Sequence, residues 1–282
     1  MQEMRFYGIL FSLKQEKEMI MKRLSNYFLA FLPFLAAEGI QIATAGILTI
    51  LYYIITGLQT GMGISPNALY LISILAGIVC GIVFGVWYLF LNHGERKGKL
   101  SNFLTLKHIM LFLGLGVGCQ FLTSGLMSLI QSFFPKVFSD YSEIMKMITG
   151  GSLGMVLLFT VFIAPITEEL IFRGVIFHFA GRDNHFLAAN IFQAVLFGIY
   201  HGNIVQGIYG ASLGLLLGYT CHKYQTIAAS VLLHMIINAS AILLNLFPGN
   251  IVGVITITVL GGGVLTTSLY YMSKDPCSKE ER

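Results

Sequence analysis

The chain has 282 residues, of which 56% are hydrophobic and 11% are charged, and its net charge is +4. A soluble globular domain carries about 25% charged residues, and apolar runs recur along nearly the whole chain, so a separate soluble domain is excluded. The basic residues form short clusters between these runs instead of one patch, which excludes a nucleic-acid-binding surface. With a mean hydropathy of +0.78, the composition predicts a protein embedded in a lipid bilayer.

Long apolar segments define the predicted fold. A transmembrane helix needs about 20 mostly apolar residues, and eight segments meet or approach this length: 26–56, 68–92, 106–131, 150–172, 186–202, 204–222, 226–247 and 250–272. We therefore predict an all-α fold, a polytopic membrane helix bundle of about eight transmembrane helices. The first segment is long enough to be tilted or broken at Pro33 or Gly39. Only Gly202 and Asn203 separate the short fifth and sixth segments, which leaves a re-entrant pair open.

The same pattern divides the chain into four parts. These are a mixed-charge cytoplasmic segment (1–24), the N-terminal transmembrane helices (25–149), a core with the candidate catalytic residues (150–247), and the last transmembrane helix with a cytoplasmic tail (248–282). The first part lacks the pattern of a cleavable signal peptide. Met19 and Met21 are alternative starts, so it is open whether residues 1–18 belong to the fold.

The distribution of basic residues predicts the orientation. The chain has 17 Lys and Arg residues. Eight crossings that start inside place all of them on the inner side except Lys136 and Lys146, which fall outside, and Arg173, which lies within a segment. The positive-inside rule expects this asymmetry. We predict a multi-pass protein of the cell membrane with both termini in the cytoplasm.

The cysteines show no spacing that is typical of a metal site: Cys80, Cys119, Cys221 and Cys277. Three of them lie inside apolar segments, where reduced cysteine packs as a small hydrophobic side chain. Gly210, Gly214 and Gly218 follow a GxxxG rhythm, which favours close helix packing. Direct contact of that backbone with a substrate is the alternative.

The second half of the chain places several ionisable or amide side chains at membrane depth: Glu168, Glu169, Arg173, His201, His234 and Asn238. An ionised side chain at the bilayer centre costs about 2.5–3.5 kcal/mol. We therefore expect these groups to converge on one another, in the bundle interior or in a water-filled cavity.

Helical geometry separates the two adjacent carboxylates. Residues four apart lie on one helix face, so Glu169 and Arg173 are predicted to form an ion pair. Glu168 points about 100° away from Glu169, is less neutralised by the arginine, and is the better general base. Pro165, just before the pair, is expected to free backbone groups and to bend the helix. Taken alone, the ion pair would more often be a structural bridge.

The histidines supply the other predicted groups. His234 and Asn238 are four residues apart, so an imidazole and a carboxamide share one helix face and are able to donate hydrogen bonds to an oxyanion. His201, four residues after Phe197, is expected to share a water with Glu168. Two histidines and one glutamate also match the ligands of a catalytic zinc, although the sequence has no HExxH motif. Each pair alone is also compatible with hydrogen bonding between helices.

These residues form three motifs in a fixed order. The chain reads Glu168-Glu169-Leu170-Ile171-Phe172-Arg173, then Phe197-Gly198-Ile199-Tyr200-His201, then His234-Met235-Ile236-Ile237-Asn238. This succession of EExxxR, FxxxH and HxxxN resembles the CAAX protease and bacteriocin-processing family, also called CPBP or Abi. The resemblance covers about residues 150–245, and all three motifs are complete. Residues 1–149 offer no such match.

The resemblance implies an intramembrane endopeptidase with a core of eight helices. It assigns water activation to Glu168, assisted by His201, and oxyanion stabilisation to His234 and Asn238. The residues that support the site would be Glu169, Arg173 and Phe197. The family is commonly labelled a metalloprotease, while a metal-independent glutamate mechanism has been argued for it. We expect no metal cofactor, and the alternative is Zn²⁺ held by Glu168, His201 and His234.

The resemblance also implies classes of substrate. Eukaryotic relatives cut prenylated CAAX proteins, whereas bacterial relatives are linked to bacteriocin maturation, self-immunity and peptide-signal processing. The small size favours a prokaryotic origin and a membrane-embedded or lipid-anchored peptide or protein as substrate. The lipid bilayer is the other partner, and no nucleic acid is expected. The alternatives are a non-catalytic bacteriocin-immunity or partner-binding protein that uses the same polar cluster, and ion or proton transport.

Glu38 lies within the first apolar segment, outside the three motifs. A carboxylate at that depth needs a polar partner or water. We expect a structural hydrogen bond to a neighbouring helix, with a role in lining a substrate cavity as the alternative.

Overall fold

The computed structural model describes residues 2–57, 63–93, 104–241, 244 and 249–276. Within these residues the chain forms nine helices: α1 (Gln2–Thr56), α2 (Pro66–Leu91), α3 (Leu106–Gln131), α4 (Pro135–Thr149), α5 (Leu153–Gly181), α6 (Phe186–Tyr200), α7 (Ile204–Tyr224), α8 (Ile227–Ser240) and α9 (Ile251–Lys274). No strand occurs in these ranges. The predicted all-α fold, a polytopic membrane helix bundle, is confirmed.

The helices differ in whether they are long enough to cross a membrane. Six of them have the length and apolar composition of a membrane span, namely α1, α2, α3, α5, α7 and α9. The apolar helices α6 and α8 have only 15 and 14 residues, and at 1.5 Å per residue they are shorter than a hydrocarbon core of about 30 Å. The chain is a multi-pass membrane protein, and the count of eight crossings stays a prediction.

The first helix is longer and more regular than predicted. α1 continues without interruption from Gln2 past Pro33 and Gly39 to Thr56, so it is not broken at either expected point. A proline inside a helix removes one backbone hydrogen bond, a loss that membrane helices tolerate. Residues 2–24 belong to the same helix, and their predicted location in the cytoplasm stays a prediction.

The helix that carries the EExxxR motif is irregular on both sides of the two glutamates. α5 contains two π-helical stretches, Leu158–Ile163 and Leu170–Ile176. Between them, Ala164–Glu169 is α-helical with Pro165 in its first turn. Proline has no amide hydrogen to donate, and the wider turn that precedes it accommodates this. Because π-helical turns are frequent at functional sites, the irregularity marks this part of α5 as a candidate site.

Two apolar clusters form the core of the bundle. In the first, Phe172, Val175 and Ile176 of α5 pack against α1, α2 and α6. The second joins α3, α7, α8 and α9 around Leu217 and Leu233. The glutamates of α5 therefore lie where several helices meet, while many large apolar side chains elsewhere remain exposed on the outer surface, as a lipid-facing protein requires.

Small residues bring α6 and α7 together. The turn between these helices contains Gly202, whose φ of 68° favours glycine. A Cβ atom on Gly214 would lie 2.9 Å from the Cα atom of Ala194, too close for any other residue without movement. The close packing predicted from the GxxxG rhythm is therefore confirmed for these two helices.

A buried polar cluster ties three helix ends together on one side of the bundle. Asp275, directly after α9, accepts hydrogen bonds from Lys107 Nζ at 3.1 Å and from Tyr224 Oη at 2.9 Å. The His108 Nε2 atom lies 2.7 Å from the same carboxylate. The start of α3 and the ends of α7 and α9 therefore share one side, as the predicted topology requires. Which side faces the cytoplasm stays a prediction.

Asp275→Asn is expected to destabilise the protein in a pH-dependent way. Burial raises the pKa of the Asp275 carboxyl, but hydrogen bonds from Lys107, Tyr224 and His108 outweigh this and lower the pKa below its ordinary value. Such a group stabilises the fold above its unfolded pKa of about 4, and the contribution is lost as the pH falls through the folded value. We expect a loss of about 1–3 kcal/mol at neutral pH. Thermal unfolding in detergent measures it, and a difference that persists unchanged in acid would contradict this account.

The amphipathic helix α4 is absent from the predicted segments. Its sequence alternates charged and apolar residues, so a search for long apolar runs does not detect it. α4 packs against α3 and α7, and the side chain of Tyr141 interacts with that of Tyr209. Several positions used in the charge and cysteine arguments lie outside the described residues: Arg96, Lys97, Lys99, Cys277, Lys279 and Arg282.

Candidate active site

A fully buried ion pair lies at the centre of the candidate site. Arg173 Nη1 donates to Glu169 Oε1 at 2.8 Å, and both side chains are 0% exposed. The predicted i, i+4 pair is therefore confirmed. The side chain of Glu168 is 15% exposed and faces different partners. Of the two adjacent carboxylates, Glu169 is the one neutralised by the arginine.

A polar network connects this ion pair to α6 and α7. Arg173 Nη2 donates to the Gly214 carbonyl at 3.0 Å, and Gln193 Nε2 donates to the same carbonyl at 2.9 Å. Gln193 also donates to Asn190 Oδ1 at 2.7 Å, and Asn190 Nδ2 donates to the Leu215 carbonyl at 3.0 Å. The guanidinium group is therefore hydrogen-bonded to α7 besides its own helix, and Gln193 of α6 shares the carbonyl that it binds.

His234 lies between the two glutamates. Its Nδ1 atom is 2.9 Å from Glu169 Oε1, and its Nε2 atom is 3.7 Å from Glu168 Oε2. Since Glu169 Oε1 also accepts a hydrogen bond from Arg173, it is an ionised acceptor, and we assign the hydrogen on the imidazole to Nδ1. Nε2 is then directed towards Glu168, so α5 and α8 present a carboxylate and an imidazole to each other.

The ring of Phe197 connects His201 to His234 and Arg173. Its ring centroid is 4.9 Å from that of His201 and 5.8 Å from that of His234, and Arg173 Cζ lies 4.7 Å from it. His201 Nδ1 is 2.8 Å from the Phe197 carbonyl oxygen. Because a carbonyl only accepts, Nδ1 carries a hydrogen, and in the neutral ring the lone pair is then on Nε2. Both imidazoles thus contact one aromatic ring.

Asn238 connects α8 to the irregular part of α5. Its Nδ2 atom donates to the Thr160 carbonyl at 2.8 Å, and Thr160 belongs to the first π-helical stretch. An amide nitrogen has two hydrogens, so one is committed to this contact and one is left. Asn238 lies one helical turn from His234, as predicted from their spacing.

A cavity of about 370 Å³ opens onto Glu168. Its walls come from α1, α2, α5 and α6, and its polar side chains are Glu38, Gln41, Ser73, Thr167, Glu168 and Tyr200. Two roles were expected for Glu38, and in the structure its side chain lines this cavity. The Gln41 amide donates to the Tyr200 hydroxyl, which joins α1 to α6 next to His201. Glu168 therefore both lines the cavity and contacts His234.

The residues of the alternative zinc set are Glu168, His201 and His234. A catalytic zinc site needs three protein ligands about 2.0–2.2 Å from the metal. In the described ranges, no three His, Cys, Asp or Glu side chains are arranged to hold a metal ion. His201 and His234 each direct Nδ1 to a protein acceptor, so only their Nε2 atoms remain for a metal. Metal-bound histidines also direct their second ring nitrogen to a protein acceptor, so the absence of a metal cofactor stays a prediction.

Sequence reasoning did not identify Asn190, Gln193 and Tyr200 as members of the site. Asn190 and Gln193 are polar residues in an otherwise apolar helix, and positions 190, 193, 197 and 201 lie on one face at 100° per residue. Both side chains are buried. The spacing of Asn190 and Gln193 from Phe197 and His201 is the pattern that identifies these two residues.

Comparisons with known proteins give matches in the part of the chain that contains this site. Residues 150–240 match the family described as type II CAAX prenyl endopeptidase Rce1-like. Over 86 residues, the chain is 26% identical to "Putative membrane peptidase YdiL" of Bacillus subtilis (strain 168), a match that covers 30% of this chain and 35% of that relative. The chain thus matches about a third of the relative's length. No solved structure matches the chain.

Proposed function

Because the chain belongs, through residues 150–240, to the family of Rce1-like CAAX prenyl endopeptidases, we propose that it is an intramembrane endopeptidase. Its substrate is a membrane-embedded or lipid-anchored peptide or protein. The observation that supports this most strongly is the contact between Glu168 and His234 at the wall of a cavity. A carboxylate at a cavity wall can serve as a general base, and an imidazole next to it can serve as a hydrogen-bond donor to an oxyanion.

Glu168 is the proposed general base. The Glu168 side chain is partly exposed and lines the cavity, whereas the Glu169 side chain is fully buried and paired with Arg173. A water between Glu168 and the substrate carbonyl gives up a proton to the carboxylate as its oxygen forms a bond to the carbonyl carbon. In the neutral ring of His201, the lone pair on Nε2 accepts a hydrogen bond from the same water and orients it.

His234 and Asn238 are the proposed oxyanion donors. The His234 ring lies between two carboxylates, and Nε2 donates to the oxyanion in the form of the ring that carries a hydrogen on both nitrogens. The free amide hydrogen of Asn238 is the second donor. As the tetrahedral intermediate collapses, the C–N bond breaks, and the leaving amine takes the proton that Glu168 holds. Oxyanion donors of this kind contribute about 10²–10³-fold each to the rate.

Glu169 and Arg173 are the proposed positioning residues. Glu169 Oε1 receives both the guanidinium and the imidazole hydrogen bond, so it fixes the ring orientation of His234. We propose that the reaction needs no metal, since Glu168 and His201 supply the basic groups themselves.

The test is the appearance of new N-termini on membrane proteins in cells that produce this chain. We expect such termini with the wild type and not with His201→Ala, at equal amounts of inserted protein, because the variant lacks the nitrogen that orients the water. Treatment of the purified wild type with a metal chelator should leave cleavage intact. Identical termini in both strains, together with protection against a bacteriocin, would instead support the non-catalytic immunity alternative.

A further inference from the structure

The cavity at Glu168 contains a second carboxylate. Glu38 of α1 lines the same space, 130 positions away along the chain. Glu38, Gln41, Ile42 and Ala45 all line it, and positions spaced by three, four and seven residues form one helix face. One face of α1 therefore forms part of the wall of the cavity that also contains the proposed catalytic glutamate of α5.

Glu38 has no cationic partner among the described residues. No salt bridge in these ranges involves its side chain, and none of the described side chains that line the cavity is basic. Gln41, the next polar residue on this face, donates its hydrogen bond to the Tyr200 hydroxyl. A carboxylate held at membrane depth without a cation is unfavourable, so the cavity favours a ligand that brings a positive charge.

The remaining lining specifies the rest of that ligand. Most other side chains of the cavity are apolar: Ile42, Ala45, Ala76, Phe159 and Ala164. Lysine and arginine combine an aliphatic stem with a cationic head, and they bury the stem along apolar surface while the head binds a carboxylate. The cavity offers both environments in one space.

We propose that Glu38 is a specificity-determining residue that binds a lysine or arginine side chain of the substrate, close to the bond presented to Glu168. The assignment of that bond rests on the proposed function, whereas the binding of the basic side chain does not require cleavage. Glu38 is distinct from the residues proposed to carry out the reaction, because it lies on α1 and they lie on or next to α5, α6 and α8.

Binding to the cleavage-deficient Glu168→Gln protein tests this inference. The probes are short N-myristoylated fluorescent peptides that are identical except for lysine, norleucine or glutamate at one position, scanned along the peptide. At one position we expect lysine to bind about tenfold more tightly than norleucine. Adding Glu38→Gln should abolish the preference, and Glu38→Lys should transfer it to glutamate. Glu18→Gln is the matched control, since Glu18 is exposed on the same helix.

Two results would overturn the inference. One is equal affinity for the lysine and norleucine peptides at every position, a comparison that needs no change at residue 38. The other is a lysine preference that survives Glu38→Gln in a protein that unfolds at the same temperature as its parent. Because the assay requires no hydrolysis, a failure of the wild type to cleave peptides would contradict the proposed function and would leave this result standing.

Discussion

Glu168→Gln is expected to lower the rate of peptide cleavage by roughly 10²- to 10⁴-fold, the range over which general acid–base groups contribute. The glutamine keeps the shape of the side chain but cannot take a proton from water. The Glu169–Arg173 pair and the Glu169–His234 hydrogen bond do not involve Glu168, so the bundle should remain folded. Initial rates on a membrane-anchored peptide in proteoliposomes measure the effect.

Glu143→Gln is the matched control for this experiment. Glu143 is exposed on α4, and the same chemical change there should leave the rate of cleavage unaltered. Equal thermal unfolding of all three proteins shows that any loss of rate does not arise from misfolding. Cleavage by Glu168→Gln at the wild-type rate would remove Glu168 from the reaction.

Arg173→Met is expected to be the most destabilising single change at the site. It removes the guanidinium from a pair whose side chains are both 0% exposed and leaves the Glu169 carboxylate buried. Breaking a buried pair in this way costs about 3–5 kcal/mol, which corresponds to a fall in the unfolding midpoint of roughly 10 °C for a chain of this size. Thermal unfolding in detergent measures it.

The double variant Glu169→Gln with Arg173→Met separates charge from packing. Glu169 Oε2 and Arg173 Nε have no hydrogen-bond partner among the described residues, so the pair is incompletely compensated, and removal of both charges should cost less than removal of one. The double variant should therefore regain part of the lost stability. If it is less stable than Arg173→Met, the buried charge of Glu169 is not the cause of the loss.

Contacts within one helix were predictable, because they depend only on spacing. The Glu169–Arg173 pair follows from residues four apart, whereas the two π-helical stretches of α5 were not predicted. The HxxxN spacing likewise places His234 and Asn238 on one side of α8. In each case the helical period alone decides which side chains are neighbours.

Contacts between helices were not predictable from periodicity. The hydrogen bond from Arg173 to the Gly214 carbonyl joins residues 41 apart, and the cavity joins Glu38 to Glu168 across α1 and α5. A helical period tells which face is polar, but not which face of another helix packs against it. Helix length was also overestimated: the segment predicted over 186–202 contains a helix of 15 residues, because an apolar run includes the turn residues that follow the helix.

The most direct test of the account is the mass of the products that the purified wild type forms from a membrane-anchored peptide, in liposomes prepared with water labelled by heavy oxygen. We predict two fragments that together contain one added water, with the label in the newly formed carboxyl group. A peptide that binds the wild type and stays intact, under conditions in which the protein is folded and inserted, would contradict the assignment of Glu168, His201 and His234 to hydrolysis.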